Sequence, residues 1–331
     1  MLVGLSMKAW RITLIVSLAA ALTPGAAYAQ RACGSGIAPT TCLPADNLWP
    51  SAGGEFTWLA PSTTTAARNV IFGVTTSWVY RPIALTVGST APEGATVYPV
   101  EHAIGAHLLA TIGLSSRLNF DVAAPMTLYQ SGAGVGFLTG SDAVLPRSAS
   151  GDLRFGPSVS LVRGRAFNLA ARVQVVAPTG STDAFATFGS VTVAPGISAA
   201  YRYRAVQLGA DIGARLRKSV ELADAVIGHQ MTLGVGATID LVPNALLTMG
   251  LEVFGLFGLE QQYTLGADAT GRDDTGGPLI PAEWLATFST ARALEGKLRM
   301  RVGMGGALPT GTGSDVTAPA LRTVASVSFT P

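Results

Sequence analysis

Charge is scarce in this sequence. Only 13% of its 331 residues are charged, whereas 48% are hydrophobic. A soluble globular domain carries about 25% charge. So apolar a composition excludes intrinsic disorder over most of the chain. Cysteine is nearly absent, and two residues cannot build a disulfide-dense scaffold or a Cys-rich zinc protein. Histidine is limited to three positions. Beyond residue 29 there is no apolar run of about 18 residues, so no helix is expected to span a membrane.

What is present begins with an export signal. Lys8 and Arg11 form a basic region, Ile12 to Leu22 a short apolar one, and Ala27-Tyr28-Ala29 a small-x-small cleavage site. Residues 1–29 are therefore expected to be a cleaved signal peptide, and its loss leaves 20 basic and 20 acidic residues. A balanced charge argues against a nucleic-acid partner. Cys33 and Cys42 follow the cleavage point, and an oxidising compartment favours a disulfide between them. The residues before Cys33 lack the small apolar pattern of a lipidation site. The Pro-, Gly- and Thr-rich stretch 30–68 suits either a periplasmic tail or a plug entering a lumen.

From residue 69 to 331 the chain alternates apolar and polar residues in segments of about ten. Val206, Leu208, Ala210, Ile212 and Ala214 oppose Gln207, Gly209, Asp211, Gly213 and Arg215. Met231, Leu233, Val235, Ala237 and Ile239 oppose Thr232, Gly234, Gly236, Thr238 and Asp240. A segment from Leu118 places Asn119, Asp121, Thr127 and Tyr129 on its polar face. About twelve such segments occur. Short turns near 115–117, 163–166, 204–205, 242–244 and 291–295 alternate with long connections near 87–97, 131–150, 177–190, 218–225, 257–280 and 306–319. The fold class expected is all-β, a transmembrane antiparallel up-and-down barrel of about twelve strands, since only closure satisfies every strand in lipid. Aromatic girdles are expected at the two interfaces, with Trp78, Tyr80, Phe155 and Trp284 at one. Phe120, Phe167, Tyr201, Tyr203 and Phe329 fall at the other.

Catalytic and metal chemistry find little support. Strand parity sends His102 and His107 to opposite faces, so they cannot share a metal. The sequence has no H-x-S motif, and the glycines from Gly132 to Gly136 precede no helix. We therefore expect no cofactor, no metal and no enzymatic activity. The polar faces are more informative. They place Arg154, Arg172, Arg202, Arg215, Arg217, Lys297, Arg299, Arg301 and Arg322 in the lumen, with Glu101, Asp121, Asp152, Asp211, Asp240, Glu252 and Glu283. These side chains either line a pore and tune its selectivity or pair into a network that blocks flow. Lys297, Arg299, Arg301 and Arg322 form a positive wall, the best sequence candidate for anion contact.

Several short pieces occur in order: Val100-Glu101-His102, Leu128-Tyr129-Gln130-Ser131-Gly132, Gly151-Asp152-Leu153-Arg154, Pro178-Thr179-Gly180 and Gly303-Met304-Gly305-Gly306. Over residues 70–330 the chain thereby resembles outer-membrane barrels of the phenol-degradation-pathway transporter type, and the barrel half of some OmpA-family proteins. The resemblance implies an outer-membrane location and passage of small molecules. Two departures stand out. No peptidoglycan-binding domain follows the barrel, and the usual terminal Phe lies two residues early, at Phe329. The expected function is a porin-like or substrate-specific passive channel. The alternative is a structural or surface-interaction barrel with a closed, charge-filled lumen. Expected partners are outer-membrane lipids, the barrel-assembly machinery and a small solute.

Overall fold

A computed structural model describes residues 33, 40–87, 95–136, 144–222, 225–242, 246–260, 262–265, 272–276, 278–293, 297–310 and 317–331. The expected signal peptide and parts of the expected turns and connections at 242–244 and 257–280 lie outside them. Seventeen strands appear among the described residues. Twelve close the barrel: β1 (Val70–Val87), β2 (Ala95–Gly113), β3 (Leu118–Ser131), β5 (Leu153–Arg163), β6 (Phe167–Ala177), β7 (Thr192–Tyr203), β8 (Val206–Arg215), β11 (Gln230–Asp240), β12 (Thr248–Gly258), β15 (Ala282–Ala293), β16 (Leu298–Ala307) and β17 (Leu321–Phe329). Each pairs antiparallel with its neighbours in chain order, and β1 pairs with β17 to close the cylinder. Of the rest, β4 (Ala149–Ser150) extends the edge of β3. The pairs β9 (Val220–Leu222) with β10 (Ala225–Ile227), and β13 (Gln262–Leu265) with β14 (Arg272–Gly276), are hairpins within two of the long connections.

The period-2 pattern explains the two surfaces. Side chains alternate across a strand, so one polar and one apolar row per strand give a polar interior and an apolar belt. Val235 is 51% exposed and Val302 56%, both on the outer surface, while their strand neighbours Gly234 and Arg301 are buried. The short connections, Leu114–Arg117, Gly164–Ala166 and Arg204–Ala205 among them, mark one end, here the turn end. Long connections mark the other, the loop end.

The structure departs from simple alternation in several places. Between β2 and β3 the register shifts, Gly105 pairing with Thr127 but Ile104 with Tyr129. The extra residue, Leu128, is a bulge. It turns Tyr129 outward, 44% exposed, rather than onto the polar face where parity puts it. Phe120 and Phe155, expected at opposite girdles, have ring centroids 6.4 Å apart. The cause is strand stagger, which pairs Val122 with Phe155. β1 and β2 are longer than the pattern indicates, at 18 and 19 residues. Past two register shifts their loop-end halves bend over the mouth, where Ile83, Leu85 and Val100 join Phe185, Phe188, Val220 and Leu222 in an apolar cap.

The described part of the stretch before β1, residue 33 and residues 40–65, is a plug rather than a tail. At the loop end, Cys33 and Cys42 are disulfide-bonded, and the Ala45 N–H donates to Phe185 O at 2.8 Å. At the turn end, the Thr64 hydroxyl donates to Ser116 O and the Thr65 N–H to Asn119 Oδ1. Between these anchors the segment runs through the lumen, and Leu48, Phe56, Trp58 and Leu59 pack in its centre against Leu285 and Val324.

The burial of β11 yields a direct test. Val235→Arg on the belt should destabilise the barrel by about 2–4 kcal/mol, and Thr232→Ser on the inner face far less. Urea titration of the folding equilibrium in lipid vesicles reads both. Equal costs would mean that the two faces of this strand are exchanged.

Candidate functional site

The site is the interface between the inserted segment, residues 40–65, and the inner wall. Its chemistry begins with what lies opposite each wall charge. Glu252 sits at mid-height on β12, 1% exposed. Its carboxylate accepts from three successive plug amides, Thr57 at 2.7 Å, Trp58 at 2.8 Å and Leu59 at 3.3 Å. Consecutive N–H groups converge in this way only at a tight turn, and each bond to a charged acceptor is worth about 1.5–3 kcal/mol. Two strands along the same wall, on β16, Arg301 donates to the carbonyls of Gly54 at 3.0 Å and Glu55 at 2.6 Å, and Arg299 donates to Gly54 at 2.9 Å. A wall carboxylate thus takes plug donors, and wall guanidinium groups take plug acceptors.

Arg322, wholly buried, bridges wall and plug. It donates from Nε to Glu283 at 2.8 Å and from Nη1 to Asp46 of the plug at 2.7 Å. Asp46 also accepts from the Ser77 hydroxyl and the Leu48 N–H. Arg202 ties the plug's Glu55 to Asp240 near the turn end, both at 3.1 Å. Other charges pair within the wall. Arg172 and Asp211 form a bidentate pair at 2.6 and 2.8 Å, and Asp121 accepts from Thr111 and Ser158. Asp152 accepts from the Gly180 N–H, the Thr187 hydroxyl and the Phe188 N–H, drawing the 177–190 connection inward over the plug.

The proposed positive wall is therefore not an open one. Lys297 stands exposed at the turn end, before β16 begins, and Arg299, Arg301 and Arg322 are engaged by the plug or by acids. Glu101 lies at the loop-end rim beside Arg81, at 3.5 Å, rather than inside. His102 stacks on Trp78 and Tyr80, whereas His107 is buried on the lumen side.

Three arginines near the loop end are arranged differently. Arg154, Arg215 and Arg217 are each buried, and none has a carboxylate within 4.0 Å among the described residues. Arg154 and Arg215 instead flank the Trp49 ring of the plug, their guanidinium carbons 4.8 and 3.8 Å from its centroid. Arg217 covers Phe188 at 3.7 Å and donates to Gly228 O and Gln230 Oε1. Sequence reasoning placed these residues inside but had no access to Trp49.

Among the described residues, three small cavities lie between plug and wall. One of about 60 Å³ lies beside Trp49 and Arg154, one of about 30 Å³ between Trp49, Arg172 and Arg215, and one of about 140 Å³ near the turn end by Arg202 and Phe56. Phe56 fits because Gly209 and Gly236 face it. A Cβ there would come within 2.4 and 2.8 Å of its ring.

Compared with solved structures, the chain is similar to the COG4313 outer membrane channel from Pseudomonas putida F1. Identity is 13%, coverage 82% of this chain and 98% of that one, and the TM-score 0.58. It is more distantly similar to the KdgM porin, at 8% identity over 78% and 98% of the two chains with TM-score 0.45. A TodX monoaromatic hydrocarbon channel mutant follows, at 14% identity over 84% and 92% with TM-score 0.43. No family model and no curated relative matches the chain. The likeness to the first of these shows a shared fold, the closed antiparallel barrel of outer-membrane channels.

Glu252→Gln keeps the shape of the anchor but puts an amide NH₂ or neutral oxygen against three N–H donors. Hydrogen exchange at Thr57, Trp58 and Leu59 should then accelerate about 10- to 100-fold, with the amides of β11 and β12 unchanged. Unchanged plug protection would mean that Glu252 does not hold the segment.

Proposed function

We propose that this protein is a passive outer-membrane channel for small molecules, closed by its own N-terminal segment in the state described. The observation that carries the reading is how the lumen is filled. A separate strap of chain crosses it, held by hydrogen bonds and ion pairs to the wall as well as by the packing of Leu48, Phe56, Trp58 and Leu59. Water can replace such partners as the strap leaves, because a hydrated lumen solvates the exposed wall charges. A core of side chains rooted in the strands could not vacate the lumen without unfolding the barrel.

Several expectations join this reading. The apolar belt suits outer-membrane lipids, with the loop end facing outward and both ends of the barrel sequence at the periplasmic side. Residues 1–29 serve as the export signal, and the last strand, ending near Phe329, is the segment offered to the barrel-assembly machinery. The motifs shared with barrels of the phenol-degradation-pathway type and with OmpA-family barrels point the same way. So does the outer membrane channel whose fold the chain shares. We assign no enzymatic role.

The second reading, a closed structural barrel, is favoured by one observation: Arg172 with Asp211 and Arg322 with Glu283 pair wall to wall without the plug. Conductance separates the two. In a planar bilayer the wild-type protein should show small, brief openings, and a variant lacking residues 41–62 a steady and larger current. Silence from both, with the barrel folded, would remove the channel reading and leave the structural one.

A further inference from the structure

We infer that the cavity beside Trp49 is a binding site for a small carboxylate, with Arg154 as its principal ligand. The inference deepens the channel reading by naming a class of solute, and rests on it only in calling the site a step on a solute path.

The argument begins with an unmet requirement. Arg154 is 3% exposed, and its Nη2 has no hydrogen-bond partner. A guanidinium offers five donors and cannot shed its charge in ordinary conditions. Buried charges are normally paired, since leaving one unpaired costs several kcal/mol. Arg154 has instead only the face of Trp49. Cation–π contact offsets part of the charge but satisfies no N–H. His107, 4% exposed on β2, one strand beyond β3 from Arg154, lines the same cavity, and its Nδ1 is likewise without a partner. Two independent buried groups thus line one space, each with capacity to spare.

The acids nearby do not answer this need. Asp46 and Asp152 also line the cavity. Asp46 is held by Arg322, Ser77 and the Leu48 N–H, and Asp152 by Gly180, Thr187 and Phe188. On the other side of Trp49, Arg215 reaches only Asn47, at 3.4 Å, and adds a second cation without an acid beside the same ring.

Size and shape narrow the ligand. One water needs about 10–15 Å³ of such space, so the cavity of about 60 Å³ admits a group of about four heavy atoms. Guanidinium geometry favours a planar, two-oxygen acceptor taken bidentately. Trp49 and Phe188 supply apolar surface for a short carbon tail. Acetate has this size and chemistry; gluconate is too large.

The test is calorimetric titration of the full-length protein in detergent with sodium acetate, and with sodium gluconate as control. Saturable acetate binding without gluconate binding is expected. Arg154→Gln should weaken acetate binding about 10- to 100-fold, Arg154→Lys should fall between, and a heat-dependent gel shift checks that each variant is folded. Bound acetate should also raise the melting temperature of wild type but not of Arg154→Gln. No saturable acetate binding to wild type, or equal binding by Arg154→Gln, overturns the site. Acetate binding by a protein that never conducts keeps the site and removes the channel. Conduction without acetate binding does the reverse.

Discussion

Arg322 is fully enclosed inside a barrel, and an enclosed guanidinium must be surrounded by acceptors. Glu283, two strands away, supplies one set and Asp46, from outside the barrel, the other. The same constraint recurs down the lumen. Glu252 needs donors and finds plug amides; Arg301 needs acceptors and finds plug carbonyls. A twelve-stranded wall carrying so many inward charges cannot stay dry and empty. It is filled either by water, as a pore, or by a chain segment whose own polar groups replace water. The plug does the second with its backbone, which is why a stretch poor in charge can satisfy a wall rich in it.

This choice of partner matters for what the barrel can do. A plug held by apolar burial alone would leave only at the cost of exposing that area to water. Here Leu48, Phe56, Trp58 and Leu59 are buried against Leu285 and Val324, and beside them the directional contacts can be exchanged for hydration. Closure is therefore stable while the segment is docked and reversible once it leaves. The disulfide between Cys33 and Cys42 fixes the loop-end tip beside Gly189, under the bent ends of β1 and β2. The turn end continues directly into β1 from Thr64 and Thr65.

Much of the fold was legible because lipid imposes a strict period. Val235, Val302 and their equivalents repeat every second residue, and the short turns at 115–117 and 204–205 fall between segments of the right length. Local insertions are what parity cannot see. Leu128 adds one residue and turns Tyr129 outward, and the stagger of β3 against β5 brings Phe120 beside Phe155. At the lumen, parity placed Arg154, Arg215 and Glu252 on the inner face but could not say what they touch, because their partners lie up to 195 residues away in sequence. A trace of the plug was nevertheless present. The inner rows of β8 and β11 carry Gly209, Gly213, Gly234 and Gly236, where an open pore has no need of missing side chains. Gly209, Gly234 and Gly236 make room for Phe56 and Leu59.

The central claim is that the N-terminal segment, seated in the lumen, is what shuts it, and a reversible lock tests that most directly. A Cβ built at Gly73 lies 3.6 Å from that of Ala52 on the plug, within the range of about 3.5–4.5 Å that a disulfide spans. In the Ala52→Cys, Gly73→Cys variant, solute flux into proteoliposomes should vanish when the pair is oxidised and rise on reduction to the level of wild type reduced in the same way, with the native Cys33–Cys42 bond open in both. Equal flux in the two states, with the cross-link verified, would show that solutes pass without movement of this segment and would contradict the account.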